Sequence, residues 1–192
     1  MKLFFNITII LFLSQPLFSK EFQANYQIKT KGIAMGLLTW DLSLLKNSYE
    51  SSINLKNKGF LSSLYMFEGR YKASGTIINN VLFSNKYNQF WKTKKKERVV
   101  SISFQHNKIK ELSIFPVEKE LARINYKNLK NFKDPLTAFI NILLNQSPSY
   151  SIDGRRAYLL SPEKKDLSVK ILIKEYTNIW ADHKRNDLEY IE

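Results

Sequence analysis

The chain has 192 residues, 44% of them hydrophobic, which suits one domain with a substantial core rather than two. It has no cysteine, which excludes disulfides, thiol catalysis and cysteine-ligated metals. Lys and Arg number 30 against 17 Asp and Glu, a net charge of +13 that attracts anionic surfaces such as lipid head groups, although lysines spread over a solvated surface give the same total.

Lys2 precedes an apolar run from Leu3 to Leu13, which Gln15-Pro16 breaks before Leu17-Phe18-Ser19. The layout predicts a secretory signal peptide over 1–19 and a mature domain over 20–192, with an uncleaved anchor as the alternative. Export without disulfides points to the periplasm or outer envelope of a Gram-negative bacterium.

From there the chain alternates. Phe22, Ala24, Tyr26 and Ile28 predict a half-buried strand, and Leu38, Trp40, Leu42 and Leu44 a second. Tyr49, Ser51, Ile53 and Leu55 predict a third, so short turns imply an antiparallel meander. Phe60, Leu61, Leu64, Tyr65 and Phe67 have helical spacing over a short span. They either close the core at a sheet end or form a flap over an apolar cavity. Period two resumes at Tyr71, Ala73 and Ile77, with Gly75 allowing a sharp bend. Asn79-Asn80 and His106-Asn107 are turns around strands at Leu82–Trp91, Val100–Phe104 and Ile109–Phe115. Val117–Lys133 is polar and charged, a surface connection.

Asp134 to Gln146 predicts the one clear helix. Asp134 suits the N-cap and Pro135 the first helical position. Leu136, Phe139, Ile140, Leu143 and Leu144 share a stripe, with Thr137, Asn141 and Asn145 on the other side. After the breaker Ser147-Pro148-Ser149, Asp153-Gly154 predicts a hairpin with positive φ at both residues. Ser161-Pro162 to Asp166 reads as a loop, and Val169, Ile171 and Ile173 as a last strand. The fold class is therefore mainly β (α+β). Its antiparallel sheet is strongly curved into a half-barrel around one central helix, because a twisted sheet of nine or ten strands curls.

No catalytic motif stands out. Gly-x-Ser-x-Gly is absent, no acid pair is favoured by spacing, and His106 and His183 lack metal-ligand spacing. The expectation is a protein without enzymatic activity or cofactor. Trp40, Phe60, Leu64, Phe67, Phe139 and Leu143 are the candidates to line or plug an apolar cavity that takes a lipid or lipidated partner. Lys92, Lys94, Lys95, Lys96 and Arg98 are either a solvated hairpin tip or a contact for an anionic membrane surface. Nucleic acid is not expected as a partner of an exported chain. Asp153-Gly154-Arg155-Arg156 reads as a tight hairpin with two exposed arginines or as an anion clamp. A fully packed interaction module, binding by an edge strand, is the second function class, and a hydrolase the third.

The order Tyr26 … Gly32 … Gly36-Leu37-Leu38, then Gly59 to Phe67, Tyr71-Lys72-Ala73-Ser74-Gly75, Asp134-Pro135-Leu136-Thr137-Ala138 and Asp153-Gly154-Arg155-Arg156-Ala157-Tyr158 resembles the exported bacterial domain-of-unknown-function family 3108 (DUF 3108). The resemblance spans most of the mature chain. It implies a curved antiparallel sheet around a helix, broadly similar to periplasmic lipoprotein-carrier folds, with no activity to carry over. It also implies a further strand after Trp180–Ile191.

Overall fold

The alternating segments form strands, and the first seven pair strictly with their neighbours in sequence. They are β1 (Lys20–Thr30), β2 (Ile33–Leu44), β3 (Ser48–Asn57), β4 (Phe67–Ile78), β5 (Val81–Thr93), β6 (Glu97–Gln105) and β7 (Lys108–Phe115). All pairs are antiparallel, and the sheet is open, with β1 and β7 at its edges. This is a computed structural model, and it describes residues 19–30, 33–58, 66–119, 121–165 and 168–180. The Phe60–Tyr65 cluster, His183 and the strand expected after Ile191 lie outside the described residues, as does the signal-peptide stretch up to residue 18.

Two of the tight turns are made by residues that tolerate positive φ. Asn79-Asn80 (φ 51° and 62°) joins β4 to β5, and His106-Asn107 (φ 50° and 59°) joins β6 to β7. Gly75 marks a register shift between β4 and β5, where a Cβ would stand 1.9 Å from the Phe83 carbonyl oxygen and 2.7 Å from the Tyr49 ring. Only glycine allows that close approach.

The helix α1 (Pro135–Asn145) begins as predicted. Asp134 is its N-cap and accepts from the Thr137 N–H, Pro135 opens the first turn, and Gln146 closes it in the left-handed conformation. After it come β8 (Ser149–Ile152), β9 (Arg156–Lys165) and β10 (Ser168–Asn178), a second antiparallel sheet in the order β10-β9-β8. The helix touches both sheets. Leu136 and Ile140 join Tyr49, Leu82, Tyr87 and Ile102 in the main core, whereas Ala138 and Ile142 pack with Leu160 of β9. Each fully buried Leu or Ile contributes about 1.5–3 kcal/mol to this packing.

Four expectations are corrected. First, the polar side of the helix does not face water: Thr137 and Asn141 are buried, while Leu143 and Leu144 are about half exposed (46% and 52%). The hydrogen bonds described below make burial of the polar side favourable. Second, β9 runs straight through Ser161-Pro162, where a loop was expected. Proline is tolerated because the last β8 pair is Ser149 with Leu160; beyond it β9 has β10 on one side alone, and the missing N–H leaves no ladder partner unmet. Third, the 117–133 connection is partly inside: Ile124, Tyr126, Leu129 and Phe132 pack on the main core, and a 3-10 turn forms at Tyr126–Asn128. Its apolar residues are spaced irregularly, so no periodicity announces them.

Fourth, the arginines of the Asp153–Arg156 turn are not exposed. Arg155 forms an ion pair with Glu118, the two side chains being 11% and 6% exposed. Arg156 lies 3.7 Å from the Asp153 carboxylate and over the Tyr176 ring. Of the two turn residues only Gly154 takes positive φ (92°), because the Asp153 carboxylate accepts from the Arg155 and Arg156 N–H groups and organises the turn itself.

Candidate functional site

Strand pairing sorts the side chains of the large sheet onto two faces. Trp40 and Leu42 of β2, Tyr49, Ser51 and Ile53 of β3, Tyr71 and Ala73 of β4, Tyr87 of β5 and Val100 and Ile102 of β6 share the face on which α1 lies. Glu21, Asp41, Glu50, Glu68 and Glu97 all point to the other face.

The helix is held to the first face by polar groups. Ser84 Oγ donates to the Asp134 carboxylate at 2.6 Å, and Thr137 contributes both its N–H and its hydroxyl to the same carboxylate. Tyr49 in turn hydrogen-bonds Thr137 Oγ1. Burial drives the Asp134 carboxyl above its ordinary range, against the hydrogen bonds that favour the charged form. Burial likewise raises the Tyr49 and Tyr87 phenols, with the Asp134 charge adding to both. Asp134, Thr137 and Tyr49 are each no more than 1% exposed, so no solute reaches them. This constellation has the residue types of a proton relay and the accessibility of a rivet, and its role is to fix the helix on the sheet.

With the polar side of α1 used in this way, its remaining stripe is apolar. Phe139 sits 5.8 Å from Trp40, and Trp40 lies 5.1 Å from Phe22, in tilted and edge-on ring contacts. Trp40 is held in place by its Nε1–H bond to Ser51 Oγ (2.9 Å). Leu143, one turn beyond Phe139, extends the stripe to the surface. Phe67 shares the same sheet face and meets Trp91 at 6.0 Å. Of the six cavity candidates, the structure brings together Trp40 and Phe139; Phe67 stands apart on the same face, two strands away against Trp91, and Leu143 is exposed one turn beyond Phe139. Phe60 and Leu64 lie outside the described residues. Sequence reasoning missed Phe22 and Trp91; both stand in register on this face, a signal readable from alternation once the pairing is known.

The basic tip divides between the faces. Lys92 is on the far face, paired with Glu97 at 3.0 Å. Lys94, Lys95 and Lys96 are exposed in the β5–β6 turn, where the Thr93 hydroxyl accepts from the Lys95 and Lys96 N–H groups. Arg98 is opposite Trp91 on the helix-bearing face, with its guanidinium 5.9 Å from the indole.

A concavity lies on the opposite face. A groove of about 780 Å³ is lined by alternate polar residues, among them Gln23, Asp41, Glu50, Arg70, Lys72 and Asn88. Gln23 and Ser52 donate to Asp41, Lys72 pairs with Glu50 at 3.3 Å, and Arg70 covers the Phe90 ring at 4.4 Å. These groups pair with one another across the strands, and the Lys72–Glu50 pair is solvent-exposed.

Among the described residues, no helix is long and apolar enough to cross a membrane, and no group of three His, Cys, Asp or Glu could hold a metal ion. Compared with known proteins, the chain matches no family model, no curated protein and no solved structure.

Proposed function

We propose that this chain is an exported envelope protein that holds an apolar ligand, a lipid or the lipid moiety of a partner, without catalysing a reaction. The observation that carries this reading is the aromatic run beside the helix: Thr137 and Asn141 are spent on the sheet, half-buried Phe139 meets Trp40, Trp40 meets exposed Phe22, and Leu143 is exposed one turn beyond Phe139. A helix that needed only to fill a core would present its polar side to water. Exposed aromatic and aliphatic groups that run together mark a binding surface. In this reading the large sheet bends as a half-barrel around α1, the signal peptide over 1–19 delivers the chain to the periplasm, and Lys94, Lys95 and Lys96 draw it to anionic membranes. Membership of DUF 3108, which the sequence resembles, is part of the same proposal.

Native mass spectrometry of the protein taken from a membrane-containing extract without detergent tests it. A retained lipid-sized adduct that Phe139→Ser removes from a folded chain supports the reading. A bare mass together with no uptake of a naphthalene-sulfonate dye refutes it. A second reading has one observation of its own. β1 is an edge strand with Phe22, Tyr26 and Ile28 exposed at 45%, 49% and 37%, a template for a partner's strand. Protection of β1 amides by a captured envelope protein, with no lipid adduct, would favour that module.

A further inference from the structure

Charge is distributed unequally between the faces of the large sheet. Through the regular stretches of β1 to β6, the helix-bearing face carries two charged side chains, Lys20 and Arg98, and no carboxylate. Lys20 is on the edge strand. Arg98 stands at the end of a row that strand pairing brings into line: Tyr26 opposite Leu38, Leu38 opposite Leu55, Leu55 opposite Gly69, Gly69 opposite Trp91, and Trp91 opposite Arg98. Gly69 makes no break in the row, because the Tyr71 side chain lies close over it. Arg98 forms no ion pair with a described residue; its contact is the Trp91 ring. A guanidinium on an apolar face with no counter-ion among the described residues lacks there the partner that its forked N–H donors fit best, a carboxylate or phosphate.

Resting on the apolar-ligand reading above, we infer that the ligand is a single-chain amphiphile with an anionic head group. Arg98 receives the head, and the tail crosses the row toward Leu38 and Trp40. Four strand spacings separate Arg98 from Leu38, about 19 Å at ~4.8 Å each, which is the scale of a long acyl chain. The arrangement orients the ligand as well as holding it: the end beside the Lys94–Lys96 turn is the end where a negative head is favoured. Lys94, Lys95 and Lys96 supply a diffuse field, and Arg98 supplies the directed contact.

Fluorescence titration with two probes of equal tail length, pyrene-labelled palmitate and the matching fatty alcohol, separates the outcomes. The wild-type chain should bind the acid at least tenfold tighter than the alcohol. Arg98→Gln should bring the acid down to the alcohol's affinity, Arg98→Lys should retain part of the preference, and the triple change Lys94→Gln, Lys95→Gln and Lys96→Gln should leave the ratio nearly unchanged. A palmitoyl lysophosphatidate arm assigns the head group: tighter binding than palmitate means phosphate, weaker means carboxylate. Equal affinity for acid and alcohol, or a preference that survives Arg98→Gln in a chain with a wild-type melting curve, overturns the assignment of Arg98 and leaves the apolar-ligand reading standing. Binding of neither probe overturns both.

Discussion

Asn141 completes the hydrogen bonding of Leu82. Its Nδ2 donates to the Leu82 carbonyl at 2.8 Å and its Oδ1 accepts from the Leu82 N–H at 2.9 Å, so one side chain of α1 acts as a residue of strand toward β5. It is needed because β6 begins to pair with β5 only at Lys86, which leaves the side of Leu82 away from β4 without a strand. Replacing Asn141 by Leu, of similar size, strands two buried backbone groups at about 1–3 kcal/mol each. The expected loss is about 2–6 kcal/mol in urea denaturation, with the Leu82 amide losing its protection from hydrogen exchange before its neighbours. An unchanged Leu82 amide would mean that water replaces the side chain.

The raised carboxyl of Asp134 makes stability depend on pH in a definite direction. A group whose folded value lies above its unfolded value binds more protons in the native state between the two, so its contribution is full below the ordinary carboxylate range and is lost as pH rises through the folded value. Asp134→Asn keeps an acceptor for the Thr137 N–H and cannot ionise. Its melting temperature should therefore vary less than the wild type's between acid and neutral pH. The buried phenols of Tyr49 and Tyr87 act in the same sense at the alkaline end, and both chains should lose stability once unfolded tyrosine ionises, above about pH 10.

Adjacent helix residues should respond in opposite ways. Ile142 is fully buried against Leu160, and Ile142→Ala should cost about 2–5 kcal/mol with no selective effect on ligand. Leu143 is 46% exposed, and Leu143→Gln should shift stability by less than about 0.5 kcal/mol while weakening dye or lipid uptake. Thermal melts and a dye titration on the same two samples check both halves. Uptake that survives Leu143→Gln but falls in Ile142→Ala would detach the outer stripe from binding.

The Glu118–Arg155 pair ties the 117–133 connection to the turn before β9. Glu118→Ala removes the carboxylate paired with a largely buried guanidinium, a loss of about 3 kcal/mol, whereas the double change Glu118→Leu with Arg155→Met should recover much of it. Limited proteolysis gives a local readout: the single variant should be nicked within 117–133 before global unfolding.

Strand order was legible because alternation is a one-face signal, and Trp40, Ile53 and Tyr71 announce the buried side wherever it occurs. The helix ends were legible too, since Asp134 and Pro135 act within one turn. Which side of the helix is buried was not. Thr137 and Asn141 go inward because Tyr49 and Leu82, 88 and 59 residues away, offer them partners, and hydrophobic periodicity carries no information about a distant acceptor. The same limit hid Glu118, whose partner Arg155 is met only in the folded chain, and the division of the basic tip, where Lys92 and Arg98 read alike until pairing sends them to opposite faces.

The uninterrupted order of the large sheet has a kinetic consequence. Each strand from β2 to β7 finds its partner immediately upstream, so a chain appearing N-terminus first, at a ribosome or a pore, can add one hairpin at a time with little loop-closure entropy. The contacts of α1 with Tyr49 and Ser84 span 88 and 50 residues and form only after that sheet exists. Until they form, the side chains of Tyr49, Ala73, Tyr87 and Ile102 stand uncovered along a ready-made sheet, and a chaperone that shields apolar surface would find its longest-lived target there. Assembly thus splits into a fast local stage and a late capping stage, and substitutions in the helix should slow the second without touching the first.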